Sequence, residues 1–197
     1  MKPFSGFCRC FAFVGMLALS ACSGEFEYSS PYRCFFRFDN KIHQNGLIAS
    51  ALTPYSNVFV KISKKVSGGV NYVVLSTSDG QKSEDVAITT EIENYANYEL
   101  GANNGIIVGY STMNEKYVAF DAQCRNCYSN AGAYTPNRPL TWTKNTTEVK
   151  CDHCGRRYDL NMNGVVSSDE GGEKLWQYHV TCTNQYGLLT VTTKYRR

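Results

Sequence analysis

Residues 175–195, LWQYHVTCTNQYGLLTVTTKY, decide the fold class. Side chains of a strand alternate between faces, so Trp176, Tyr178, Val180 and Cys182 fall on one side and Leu175, Gln177, His179 and Thr181 on the other. "NQYG" at 184–187 turns the chain, and "LLTVTTKY" at 188–195 returns as a second strand rich in Thr and Val. On this reading Cys182 is a core thiol on the apolar face and His179 an ordinary surface histidine. Five further segments have the same character: YRCFFRFD (32–39), NVFVKISKKV (57–66), VNYVVLSTS (70–78), GIIVGYST (105–112) and EKYVAFDA (115–122). Turn signals separate them, namely "SGG" at 67–69, "DG" at 79–80, "NNG" at 103–105 and "NG" at 163–164. Only SEDVAITTEIENY (83–95) has a helical option, and its Thr and Ile weigh against it. The sequence predicts an all-β protein, because no strand–helix alternation supports an α/β sheet.

The first residues predict the compartment. MKPFSGFCRCFAFVGMLALSAC has a short basic start at Lys2 and Arg9, then an apolar run from Phe11 to Ala21. That run is shorter than the about 20 residues a membrane-spanning helix needs, so it reads as a secretory signal. Its end, "LSAC" at 19–22, resembles the lipobox of bacterial lipoproteins. The resemblance implies cleavage before Cys22 and acylation of that cysteine, with the lipid bilayer as partner. Several acyl chains on one residue give stable anchoring where one chain is marginal. The expected location is the bacterial cell envelope, on the periplasmic side or the outer surface. The chain divides into a signal (1–21), a tether (22–30) and a single all-β domain (31–197). Removing Lys2 and Arg9 lowers the net charge from +3 to +1, which leaves no basic footprint for nucleic acid.

Two pairs of cysteines stand out within the domain. "CRNC" at 124–127 and "CDHC" at 151–154 share a two-residue spacing, which wraps a tight turn and aims two sulfurs at one point. Four thiolates from two such turns can occupy tetrahedral corners, so Cys124, Cys127, Cys151 and Cys154 are the candidate metal ligands. Cys34 could pair with Cys182 in an oxidising envelope, but spacing alone does not bring their Cα atoms together.

The context of these pairs resembles a Rieske domain. YVAFDAQC leads into the first pair, VKCDHCGRRYDLNMNGVV contains the second, and LWQYHVTCTNQYGLLTV closes the region. Cys124 and Cys151 match the cysteines of the two Rieske boxes. Gly155, Tyr158, Asp159 and Gly164 match the hairpin that follows, and Leu175, Tyr178, Val180, Gly187 and Leu189 the closing strands. The resemblance covers about residues 105–193 and implies an antiparallel β-sandwich with two metal-binding loops and a [2Fe-2S] electron-transfer role. It also departs from the family where the metal sits. Rieske clusters use two histidines on one iron; here Cys154 stands at one histidine position, Asn126 at the other, and Cys127 follows one residue later. His153 lies beside a ligand position and reads as an exposed loop residue neighbouring the site.

An all-cysteine site leaves two functional classes. A cysteine sulfur is one bond from Cβ, whereas the imidazole nitrogen that reaches the outer iron is two, so the exchange draws the donors inward and favours one ion. Export without a twin-arginine signal also favours a metal gained outside the cell, such as zinc or a lone iron. The first expectation is therefore a structural or binding lipoprotein stapled by zinc. The alternative is a [2Fe-2S] carrier with a redox or envelope protein as partner. A thiol–disulfide enzyme is the weaker third, since its CxxC motif opens a helix in a βαβ unit, and neither pair is expected to do so. With three histidines, no Ser–His–Asp set and no phosphate loop, hydrolase chemistry has no foothold.

Overall fold

The computed structural model describes residues 30–80, 82–96, 99–129 and 137–193. The expected signal, Cys22 and the expected tether before Ser30 lie outside them.

Two antiparallel sheets form the molecule. The larger contains β1 (Cys34–Asp39), β2 (Phe59–Ser67), β3 (Val70–Thr77), β4 (Ser83–Ala87), β5 (Glu99–Leu100), β6 (Gly105–Ser111), β7 (Lys116–Asp121), β12 (Gln177–Thr181) and β13 (Leu188–Thr192). Its strand order is β4-β3-β2-β6-β7-β12-β13-β1-β5. The smaller contains β8 (Leu140–Trp142), β9 (Glu148–Cys151), β10 (Arg157–Asp159) and β11 (Val165–Val166), in the order β11-β10-β9-β8. The all-β expectation holds, and each of the seven strands read from sequence lies in the larger sheet.

The central strands show why the sequence folds this way. β6, GIIVGYS, is apolar on both faces because each face of the sheet carries its own core. Ile106 and Val108 point into one cluster with Val60 and Ile62 of β2, Phe36 and Phe38 of β1, and Leu189 and Val191 of β13. Ile107 points the other way, with Val118 and Phe120 of β7, into a cluster completed by Leu140, Val149 and Tyr158 of the smaller sheet. A one-residue slip would exchange the two sets, so the register is strongly specified. Gly109 belongs to the same packing: a Cβ there would meet the Phe59 ring at 2.4 Å. Each fully buried Ile, Leu or Phe stabilises by roughly 1.5–3 kcal/mol, so these two clusters dominate the fold.

Among the described residues four short α-helices interrupt the all-strand reading. α1 (Asn40–His43) and α2 (Gly46–Leu52) follow β1, and Asn45 caps α2 by accepting from the N–H groups of Leu47 and Ile48 at 3.0 Å each. α2 delivers Ile48, Ala51 and Leu52 to the first core. The ambiguous segment 83–95 splits: β4 takes its start, and α3 (Glu91–Ala96) its end. α4 (Arg125–Ser129) is considered with the site. The turns fall where expected, with Gly68, Gly69, Gly80 and Gly164 at positive φ; in "NNG" it is Asn103 and Asn104 that take positive φ, while Gly105 starts a strand.

Cys182 packs partly buried against the first core, as its strand face predicts, and His179 is half-buried. Cys34 and Cys182 are both free. The register explains it. Cys34 is level with Thr193, while Cys182 follows Thr181, which pairs Thr190, and so lies level with Leu189. Four residue steps along a strand are roughly 13 Å, well beyond disulfide reach.

Candidate metal centre

The first cysteine pair leaves the end of β7. Asp121 ends the strand, and Cys124 then starts a helical turn in which Cys127 and Tyr128 both donate their N–H to its carbonyl at 3.2 Å. This turn is α4, so the first pair does open a short helix, contrary to expectation. Among the described residues all strand pairings nevertheless remain antiparallel, with no βαβ unit around it. The second pair sits in the turn between β9 and β10. There Gly155 donates to the Cys151 carbonyl at 2.9 Å, and Cys151 N–H to Arg156 O at 2.9 Å. Gly155 takes φ 78°, a left-handed conformation that a side chain disfavours, and this lets the loop close immediately after Cys154.

These two loops bring the four predicted residues together. The Sγ atoms of Cys124, Cys127, Cys151 and Cys154 all lie within 4.8 Å of one another. Cys124 is 3.7 Å from Cys154, and Cys127 is 3.7 Å from Cys151. These are far longer than a disulfide of about 2.05 Å, and all four thiols are free. Cys124 and Cys151 are buried in the second core, whereas Cys127 and Cys154 are half-buried on the solvent side. The group can hold a metal ion.

The electrostatics suit a cation. A hydrogen bond from Cys124, opposed by burial and helped by the backbone N–H groups of Cys154 and His153, pulls Cys151 down to about 4. The same bond, together with burial, raises Cys124 well above the usual thiol range. Burial, with the neighbouring thiols, pushes Cys127 up to about 12. Protons are therefore shared within the cluster, because four thiolates this close repel one another unless a positive charge stands among them.

Residues around the cluster orient it. Tyr158 of β10, fully buried, places its hydroxyl 3.1 Å from Cys124 Sγ. Asn126 Nδ2 donates to that hydroxyl oxygen at 3.0 Å and to Glu173 O at 2.8 Å, while Asn126 Oδ1 accepts from Glu173 N–H at 3.0 Å. These three bonds settle the amide's orientation, so the phenol oxygen is an acceptor toward Asn126 and its single proton is left for Cys124 Sγ when that sulfur is a thiolate ligand. Arg125 braces the same segment through Glu173 at 2.5 Å. His153 is exposed, with Nδ1 3.6 Å from Cys127 Sγ. Tyr158 appeared in sequence only as part of a hairpin pattern. The strand-like tail after Cys154 was the available signal, whereas nothing local pointed to Glu173, 47 residues from Asn126.

Two other buried ionisable groups escaped the sequence reading. Asp121 is completely buried, and burial pushes its carboxyl up to about 6 despite bonds from Tyr178 Oη (2.6 Å), Ala102 N–H (2.8 Å) and Gln123 N–H (2.8 Å). His43 Nε2 lies 3.0–3.1 Å from both oxygens of buried Glu93. Burial raises the Glu93 carboxyl, but the Asp39 N–H, the Thr90 hydroxyl and His43 outweigh it, and the net direction is down. Neither group adjoins a further cluster of metal-ligating side chains among the described residues.

Compared with protein-family models, curated proteins and solved structures, the chain gives no match. What its own geometry defines is a β-rich domain whose two sheets are joined by a four-cysteine group able to bind metal. Among the described residues no helix is long and apolar enough to cross a membrane.

Proposed function

We propose that this chain is a lipid-anchored protein of the bacterial cell envelope whose four cysteines bind one zinc ion as a structural staple. The compactness of the cluster carries this reading. Zinc–sulfur bonds of about 2.3 Å give a tetrahedron with edges of about 3.8 Å, and two of the sulfur pairs stand at 3.7 Å with every pair inside 4.8 Å. A two-iron core would need the thiol pairs set apart by the distance between its irons, so this spacing supports a single ion. Four protein ligands leave no open position for a substrate, and a closed zinc site is structural. The staple joins the loop after β7 of the larger sheet to the β9–β10 turn of the smaller one. The lipobox-like end at Cys22 supports the anchor, and a metal acquired after export is compatible with crossing the membrane unfolded. On this proposal the Rieske-like pattern at 105–193 is a scaffold in which Cys154 takes one histidine position and Cys127, one residue past the other, supplies the fourth sulfur.

A second reading is electron transfer through iron at the same position, either a lone ion or a [2Fe-2S] cluster. It draws on the half-buried Cys127 and Cys154 and on the hydroxyl at Cys124, since exposure and hydrogen bonds to ligand sulfurs tune the potential of iron centres. Metal analysis of the purified chain, read with its visible spectrum, separates the two. The zinc reading expects one zinc per chain, no colour, no response to dithionite and partial unfolding by a chelator. Two irons and two sulfides with a reduced-state EPR signal would replace it with the electron carrier.

A further inference from the structure

One outward face close to the first described residue is apolar. In β1 the side chains alternate, so Cys34, Phe36 and Phe38 enter the core while Phe35 and its neighbours Arg33 and Arg37 turn outward. α3 lies against this strand, with the Tyr95 ring edge-on to Phe35 at 6.5 Å between centroids. Ile92, three residues before Tyr95, shares its helix face. Ile92 is 63% exposed, Tyr95 80% and Phe35 37%, and a groove of about 720 Å³ runs between strand and helix beside Phe35 and Tyr95, with Cys34 and Ala96 on its apolar side and Arg33, Glu99, Thr192 and Thr193 on its polar side. Contiguous apolar surface of this kind marks a contact, whereas single scattered residues do not.

The chain itself indicates what covers it. Ser30 is held by the domain, its hydroxyl 3.0 Å from Tyr178 Oη. Eight residue steps separate it from Cys22, a reach of at most about 28 Å. Phe35 follows five residues later, so the face is close to the point where the tether leaves. Following strand directions from β1 through β13, β12 and β7 to β6 places the turn after Ser111, with exposed Met113, at the opposite end of the sheet.

We infer that the Phe35–Ile92–Tyr95 face rests on the lipid bilayer that holds the Cys22 anchor, with Arg33 (paired to Glu99 at 3.1 Å) and Arg37 at headgroup depth. This rests on the lipoprotein reading above. Tyrosine suits the position because its ring is apolar and its hydroxyl remains wet. The tether makes the contact intramolecular, so a small patch that would not hold a free protein to a membrane is sufficient to orient a tethered one.

The test uses the full, acylated chain reconstituted into vesicles of phosphatidylethanolamine and phosphatidylglycerol, part of it with brominated acyl chains. Ile92→Trp and Tyr95→Trp report from the face and Met113→Trp from the far end, each read against the emission of Trp142 and Trp176. The expected result is blue-shifted, bromine-quenched emission at 92 and 95 and unquenched, water-like emission at 113. Tyr95→Glu in the Ile92→Trp background should abolish the quenching. Protein that floats with the vesicles yet shows no quenching at 92 and 95, or equal quenching at all three sites, overturns the inference while the anchor stands. Protein that carries no acyl chain by mass spectrometry and does not float overturns the anchor and this face together.

Discussion

Tyr158→Phe tests the site through one oxygen atom. Tyr158 and Cys124 are both fully buried, so no water replaces the lost hydroxyl. Cys124 Sγ loses the donor at 3.1 Å, while Asn126 keeps both of its bonds to Glu173. A hydrogen bond to a charged acceptor contributes about 1.5–3 kcal/mol. At 1.4 kcal/mol per tenfold, that corresponds to a loss of roughly 10–100-fold in metal affinity, the range found when an outer partner of a metal ligand is removed. Competition with a chromophoric chelator at constant pH measures it directly. Asn126→Ala should weaken binding less, because the phenol then keeps its proton but loses the neighbour that aims it. An affinity for Tyr158→Phe within about twofold of wild type would show that the phenol proton does not serve the cluster, and the hydrogen-bond argument would fail.

The ligand set makes a second test. Serine at Cys124, Cys127, Cys151 or Cys154 should lower metal content and melting temperature in each case, because each sulfur lies within 4.8 Å of the other three; Cys182→Ala should retain the metal and cost on the order of 1 kcal/mol of packing. Metal loss on changing Cys182, with none on changing Cys127, would refute the assignment. Asp121 gives a pH dependence. Its folded pKa of about 6 lies above the ordinary 3.8, so the folded state holds this proton to higher pH, and the stability it contributes below pH 4 is lost as pH rises through 6. That difference of about two units is worth about 3 kcal/mol. The stability of wild type minus that of Asp121→Asn, followed by urea unfolding, should therefore fall by about that much between pH 4 and 7; a flat difference would rule the effect out.

Seven strands of the larger sheet were legible because each is five to nine residues long and the central ones meet apolar cores on both sides, whereas the two-residue β5 was not. The smaller sheet was largely not. β8, β9, β10 and β11 are two to four residues each, too short for alternation to declare itself, and only the tail after Cys154 looked strand-like. α3 carried a readable signal in Thr90 and Glu93, a T-x-x-E spacing at a helix start, but β-rich residues on either side obscured it. α2 had its cap in Asn45, yet GLIASAL is too short to show a helical period. The cysteine cluster was legible from spacing alone. The His43–Glu93 pair was not, because its partners are 50 residues apart and meet only once α3 has docked on β1.

The place of β1 between β13 and β5 has a consequence for biogenesis. Thr193 near the end of the chain bonds to Cys34 near its start, 159 residues away. A polypeptide that emerges from the ribosome with its amino terminus leading delivers β1 among the first strands and β13 last. The β2–β3 and β6–β7 hairpins can form as they emerge, and so can the β9–β10 turn with its pair of thiols, since each is a local pairing. β1 cannot. Its edge toward β13 must wait, unpaired, for almost the entire chain to follow, and during that interval this edge is open to aggregation or to capture by a holding chaperone.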